Sequence, residues 1–199
     1  MEAPLKKKRY TYEDYCSWEY SGCLELIDGV PYIDGTAYLD GLPNAMAPGA
    51  SERHQTISGE IFSQLHTFLR GKPCKVLHTP FDVRLSVDEG DTVVQPDILV
   101  VCDLSKLKGG KGVDGAPDLI IEILSPSSVK NDLVTKKRLY LQSGVREYWI
   151  IDPESRIATT HILHELGYIS RSYDEHDTEV PVEVLDGCTI NFAEVFEGL

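Results

Sequence analysis

Nowhere does the chain hold an apolar run of about 18 residues, so a membrane-spanning helix is excluded. The basic cluster at residues 6–9 has no apolar run behind it, so no signal peptide is expected. The five cysteines (Cys16, Cys23, Cys74, Cys102, Cys188) are odd in number, far apart and without a Cys-x-x-Cys pair. That pattern predicts neither a structural zinc site nor a disulfide framework, and it points to a cytoplasmic location. The six histidines show no His-x-x-x-His spacing, which argues against a zinc hydrolase. Internal repeats and low-complexity segments are missing too. Positive charge is scarce: 19 basic against 32 acidic residues leave a net charge of −13. A protein that wraps nucleic acid usually shows the reverse balance, so only a specific local site could overturn that bias.

What remains is an ordinary globular composition, 42% hydrophobic and 26% charged, in 199 residues. It predicts one domain over 1–199, with a core that needs no cross-links, a disordered basic tail at 1–9 and a core segment at 52–152. Thr11 with Asp14 predicts a capping box opening a short helix at Tyr12. Residues 23–27, Asp28-Gly29 and residues 30–33 read as a hairpin, followed by a Gly/Pro-rich loop to about Ser51. Ile57, Ile61, Leu65 and Phe68 mark an amphipathic helix ending near Arg70-Gly71. Strands are expected at 75–87 (interrupted at Pro80), 93–102 and 118–124, with a glycine-rich loop between the last two. A second helix, capped by Ser127 or Ser128, should run to Ser143-Gly144, and a strand at 146–152 follows. Peripheral strands and a short helix at 192–196 close the chain. The order helix, three strands, helix, strand defines an α/β architecture around a mixed central sheet flanked by helices.

Two acids interrupt apolar strands. Asp97 shares a face with Val93, Leu99 and Val101, and Glu122 shares one with Ile120 and Leu124. A carboxylate there costs several kcal/mol (roughly) unless it is paired, protonated or metal-bound. Both are either structural acids held by Lys or Arg, or ligands of one cation. Asp118 and Glu122 lie about 13 Å apart along one strand, too far to share a metal, whereas Asp97 and Glu122 on neighbouring strands can approach to about 5 Å. At about 100° per residue, Lys136 falls in the stripe of Val129, Leu133 and Tyr140, and Lys137 at its margin. Lys136 either snorkels to solvent or reaches the two acids. Two carboxylates, a hard cation and a lysine are a phosphodiester-cleaving set.

These residues carry a resemblance. Residues 94–97 (Val-Gln-Pro-Asp), 116–127, Asp132, Lys136, Tyr140 and 144–153 resemble the bacterial family of putative restriction endonucleases, within the PD-(D/E)XK nuclease superfamily. The likeness extends to 25–29, His54-Gln55 and 80–85, and covers roughly residues 10–196. It implies a restriction-endonuclease-like fold and a divalent-metal-dependent DNA endonuclease. Pro96-Asp97 becomes the motif's PD and Glu122 its second acid. Leu124 stands where the motif's lysine is usual, and Lys136 on the following helix supplies it. Mg²⁺ or Mn²⁺ would sit on Asp97, Glu122 and the carbonyl of Ile123, and a homodimer acting on DNA is implied by analogy. His54, Glu60, Asp82 and Tyr140 are accessory candidates, each also readable as an ordinary helix, surface or packing residue. A degenerate relative that binds metal, nucleic acid or protein without cleaving is the alternative.

Overall fold

The computed structural model describes residues 8–20, 23–33, 36–38, 50–87, 90–107, 109, 112–126, 128, 129 and 131–199. Most of the loop between Asp34 and Ser51, and Ser127, therefore lie outside the described residues, as do residues 1–7 of the basic tail. Thr11 caps helix α1 (Tyr12–Ser17) through the expected box with Asp14. The hairpin is present as β1 (Leu24–Ile27) and β2 (Val30–Ile33), extended by β3 (Thr36–Ala37). Arg9 bonds the carbonyl of Asp28, and the Tyr10 N–H donates to Gly29 O at 2.8 Å. Arg9 is thus docked on the hairpin, which corrects the reading of a free tail through Arg9.

Ser51 caps α2 (Glu52–Leu69), accepting from the His54 N–H. Its buried stripe is Ile57, Ile61, Leu65 and Leu69, while Phe68 is only partly buried. The predicted strand at 75–87 is two strands, β4 (Lys75–His78) and β5 (Asp82–Val87), and that at 93–102 is also two, β6 (Gly90–Val94) and β7 (Ile98–Val101). The loop after β7 holds a further short strand, β8 (Gly112–Asp114), before β9 (Leu119–Ile123). One six-stranded sheet runs β3-β2-β1-β6-β5-β8. The chain crosses between the sheets at Pro80, Pro96 and Pro117, each of which lacks an N–H to donate to a ladder.

A turn after β9 is closed by Ser125 and Ser128, whose main-chain N–H groups each donate to the other's hydroxyl. The capping pair therefore begins at Ser125, earlier than the sequence pattern suggests. Asn131–Lys136 winds as a π-helix and α3 (Lys137–Ser143) continues it, ending on Gly144 at φ +80°. Then come β10 (Glu147–Asp152), β11 (Ile157–His164), β12 (Gly167–Asp174), the pair β13 (Val180–Pro181) and β14 (Thr189–Ile190), and α4 (Phe192–Val195). The second six-stranded sheet runs β12-β11-β10-β9-β7-β4, with β9 and β10 parallel and the other pairs antiparallel.

Alternation along β7 and β9 gives the second sheet two apolar faces. Ile98, Val100, Leu119, Ile121 and Ile123 pack with α2 and α4, and Leu99, Val101 and Ile120 pack with α3 and the first sheet. The candidate site lies on that second face.

The π-helix corrects the helical phase. With i→i+5 bonding, the residues that share a face with Lys136 are Asn131 and Asp132 rather than Leu133. Asn131 and Asp132 are accordingly buried, whereas Val129 and Leu133 are 37% and 44% exposed. The first half of the stripe is polar. Cysteine spacing also misleads: Cys74 and Cys102 extend the β4–β7 register by one step and form a disulfide. None of the described helices is long and apolar enough to cross a membrane.

Candidate active site

The β7–β9 register pairs Ile98 with Ile121 and Leu99 with Ile120, so one further step sets Asp97 opposite Glu122. Both acids project on the face of Leu99 and Ile120. Asp97 sits just beyond the crossing at Pro96, where its Oδ2 accepts the Ile123 N–H at 2.8 Å. His54, in the first turn of α2, brings Nε2 to the same oxygen at 3.2 Å. Burial works against a charged His54, but the hydrogen bond and charge of Asp97 outweigh it and raise the imidazole above its ordinary value. His54 is thus no solvated helix-start residue; its side chain is 13% exposed.

Glu122 is buried among apolar neighbours and keeps two partners, both on Oε1. Tyr140 OH donates at 2.7 Å and Lys136 Nζ at 3.0 Å. Burial pushes its carboxyl well above the usual range, as do Asp132, Asp97 and Glu25; the Lys136 ammonium pulls the other way. For Lys136 the balance reverses. Burial disfavours the ammonium, but Glu122, Glu25 and Asp132 together hold it well above the ordinary lysine value. Tyr140 is buried, and burial with the nearby Glu122 keeps its phenol protonated and a donor. Lys137, next along the chain, is partly exposed.

Two acids stand in this group that sequence reasoning did not assign. Glu25, on β1 of the other sheet, lies 2.9 Å from Lys136 Nζ, and its Oε1 also accepts the Gln95 N–H at 3.0 Å. Asp132 Oδ1 lies 3.4 Å from the same nitrogen, is buried, and has no hydrogen-bond partner. The signal was present in both cases. Glu25 is an acid centred in Leu-Glu-Leu-Ile, the pattern that singled out Glu122, and Asp132 is four residues before Lys136.

The remaining candidates separate. Asp82 accepts from Gln95 Nε2 at 2.8 Å and from Tyr15 OH at 3.0 Å, so it supports Gln95 rather than facing Asp97. Glu60 accepts from Gln64 Nε2 at 3.3 Å, and Gln64 bonds Asn191 beside α4, on the other side of the second sheet. Asp118 bonds the Cys102 N–H at 2.7 Å and Arg146 at 3.0 Å, as a strand-start residue should. The side chains that the register sets opposite each other, Asp97 and Glu122, carry hard oxygen donors. Among the described residues no three His, Cys, Asp or Glu side chains are already arranged around a metal position. An ion here would need a main-chain carbonyl or water to complete its shell. Carboxylate and carbonyl oxygens suit Mg²⁺.

The fold is that of the restriction-endonuclease-like nucleases. A solved structure of a putative nuclease belonging to DUF820 from Anabaena variabilis superposes with a TM-score of 0.69 at 20% identity, over 94% of this chain and 97% of that one. The chain belongs to the Uma2 family, "Putative restriction endonuclease", which it matches over residues 13–193. An uncharacterised protein of Synechocystis sp. is 26% identical over 103 residues, 52% of this chain and 53% of that protein. The chain thus spans about half the length of this curated relative.

Proposed function

We propose that the protein is a divalent-metal-dependent endonuclease that hydrolyses DNA phosphodiester bonds, with Asp97, Glu122 and Lys136 as its working residues. The observation that carries this reading is the meeting of Asp97 and Glu122 across one register step, with the ammonium of Lys136 on Glu122 at 3.0 Å. Asp97, Glu122 and the carbonyl of Ile123 would hold Mg²⁺ or Mn²⁺. When bound, the ion supplies a Lewis acid for a phosphate oxygen and lowers the pKa of a water.

The chain's own residues do the rest. The hydrogen bonds to Asp97 and Glu122 described above fall on Oδ2 and Oε1, so each carboxylate is fixed in rotation while its second oxygen serves the ligand. Lys136, beside Glu122, would offset negative charge that develops at the reacting centre. Tyr140, held protonated by burial, anchors Glu122. His54 steers Asp97. A homodimer with one site per strand completes the proposal by analogy with the superfamily.

Incubation of plasmid and single-stranded DNA with the protein, in Mg²⁺, Mn²⁺ or EDTA, tests this directly. Cleavage that requires the metal and is lost in Asp97→Ala supports it. Metal binding without any cleavage supports the degenerate relative instead.

A further inference from the structure

The position of Lys136 calls for explanation. One carboxylate would neutralise its ammonium, yet three surround it. Glu25 comes from β1 of the first sheet, Glu122 from β9 of the second, and Asp132 from the π-helix, at 2.9, 3.0 and 3.4 Å. All four side chains are 7% exposed or less. Burying more carboxylates than there are cations to pair them costs stability. We infer that Glu25 and Asp132 are positioning residues that, with Glu122, form a three-carboxylate seat for the Lys136 ammonium.

The inference rests on the nuclease reading above and goes beyond it. Glu122 has two tasks there, since it also faces the metal with Asp97. A lysine that depended on Glu122 alone would lose its partner whenever the metal drew on that carboxylate. Glu25 and Asp132 keep the ammonium in place while Glu122 is engaged. The build of the seat agrees with this role. Glu25 Oε1 is held by the Gln95 N–H at 3.0 Å, one residue before the crossing at Pro96-Asp97, so the seat and the metal acid share a rigid support. Asp132 Oδ1 is buried with the ammonium as its neighbour and no hydrogen bond of its own. It reaches Lys136 from four positions earlier on the same helix, a spacing that puts both side chains on one face.

Glu25→Gln preserves volume and an acceptor for Gln95, and Asp132→Asn preserves volume; each removes one charge from the seat. In the full chain, each should lower kcat about ten- to a hundredfold, with KM for plasmid and Mn²⁺ affinity within about twofold of the parent. A merely structural pair would leave kcat unchanged. A readout independent of cleavage is Lys136→Ala titrated with propylammonium chloride, which supplies the missing carbons and nitrogen, against sodium chloride. The melting temperature should rise saturably with propylammonium, and the rise should vanish in Lys136→Ala/Glu25→Gln and in Lys136→Ala/Asp132→Asn. If Lys136→Ala is unfolded alone, recovery of its circular dichroism on adding propylammonium is the same readout. No response to propylammonium, or one that survives loss of either carboxylate, overturns the seat. If the parent fails to cleave DNA but the propylammonium response holds, the nuclease reading falls and the seat stands.

Discussion

Asp97 faces Glu122 across an antiparallel pair of strands, and the main-chain N–H next to Glu122, that of Ile123, donates to Asp97 Oδ2 at 2.8 Å. One ladder step therefore sets both the spacing of the two acids and the rotation of one of them. Calorimetry with Mn²⁺ should show binding that disappears in Asp97→Ala and in Glu122→Ala. Asp118→Ala should keep the metal but lose about 1–3 kcal/mol of stability, because the Cys102 N–H and Arg146 lose their partner. Equal loss of metal in Asp118→Ala would move the site to the other Pro-Asp pair.

Lys136 and Lys137 are adjacent, and only one of them is buried against the acids. Lys136→Met keeps most of the packing volume and removes the charge. It should lower the cleavage rate about 10²- to 10³-fold while leaving Mn²⁺ affinity largely intact. Lys137→Ala should change the rate only a few-fold, through weaker attraction to a polyanion. A Lys136→Met protein that cuts DNA at the parental rate excludes Lys136.

Burial raises the Glu122 carboxyl well above its unfolded value, so ionised Glu122 opposes folding in the absence of metal. A raised carboxyl contributes stability that is present below its unfolded pKa and is lost as pH rises through the folded one. Glu122→Gln should therefore melt at a higher temperature than the metal-free parent, with a margin that widens as pH rises. Adding Mn²⁺ should stabilise the parent and not the variant. A variant that melts lower at every pH points to a purely structural ion pair.

His161 is buried beside Tyr148 and Tyr168, and burial with the nearby Lys137 depresses its pKa to about 4. The neutral ring is favoured in the fold, while the unfolded chain takes up a proton at about pH 6.5. Stability should decline as pH falls from about 6.5 toward 4, and His161→Gln should remove that part of the slope. Chemical denaturation at several pH values, parent against variant, decides it; parallel curves refute the assignment.

Local chemistry made much of this protein legible from its residues. The capping box at Thr11, the hairpin around Asp28-Gly29, the stripe of α2 and the helix stop at Gly144 all depend on neighbours within a few positions. Asp97 and Glu122 were legible because an acid inside an apolar strand stands out whatever the fold. Lys136 was found by a phase argument whose stripe was half wrong: Val129 and Leu133 are exposed, and the π-helix decided which face turns inward. Whether a helix widens to i→i+5 bonding depends on what its side chains meet, and no spacing within the helix specifies that. Long-range pairing was equally hidden. The prolines at 80, 96 and 117 announce interruptions, but only the assembled sheets show that the chain changes sheet at each. Cys74 meets Cys102 because β4 and β7 pair in one sheet, and Glu25 meets Lys136 from a strand more than a hundred residues earlier, on the other sheet. Sequence reveals which residues are costly to bury, and tertiary structure decides which partners offset that cost.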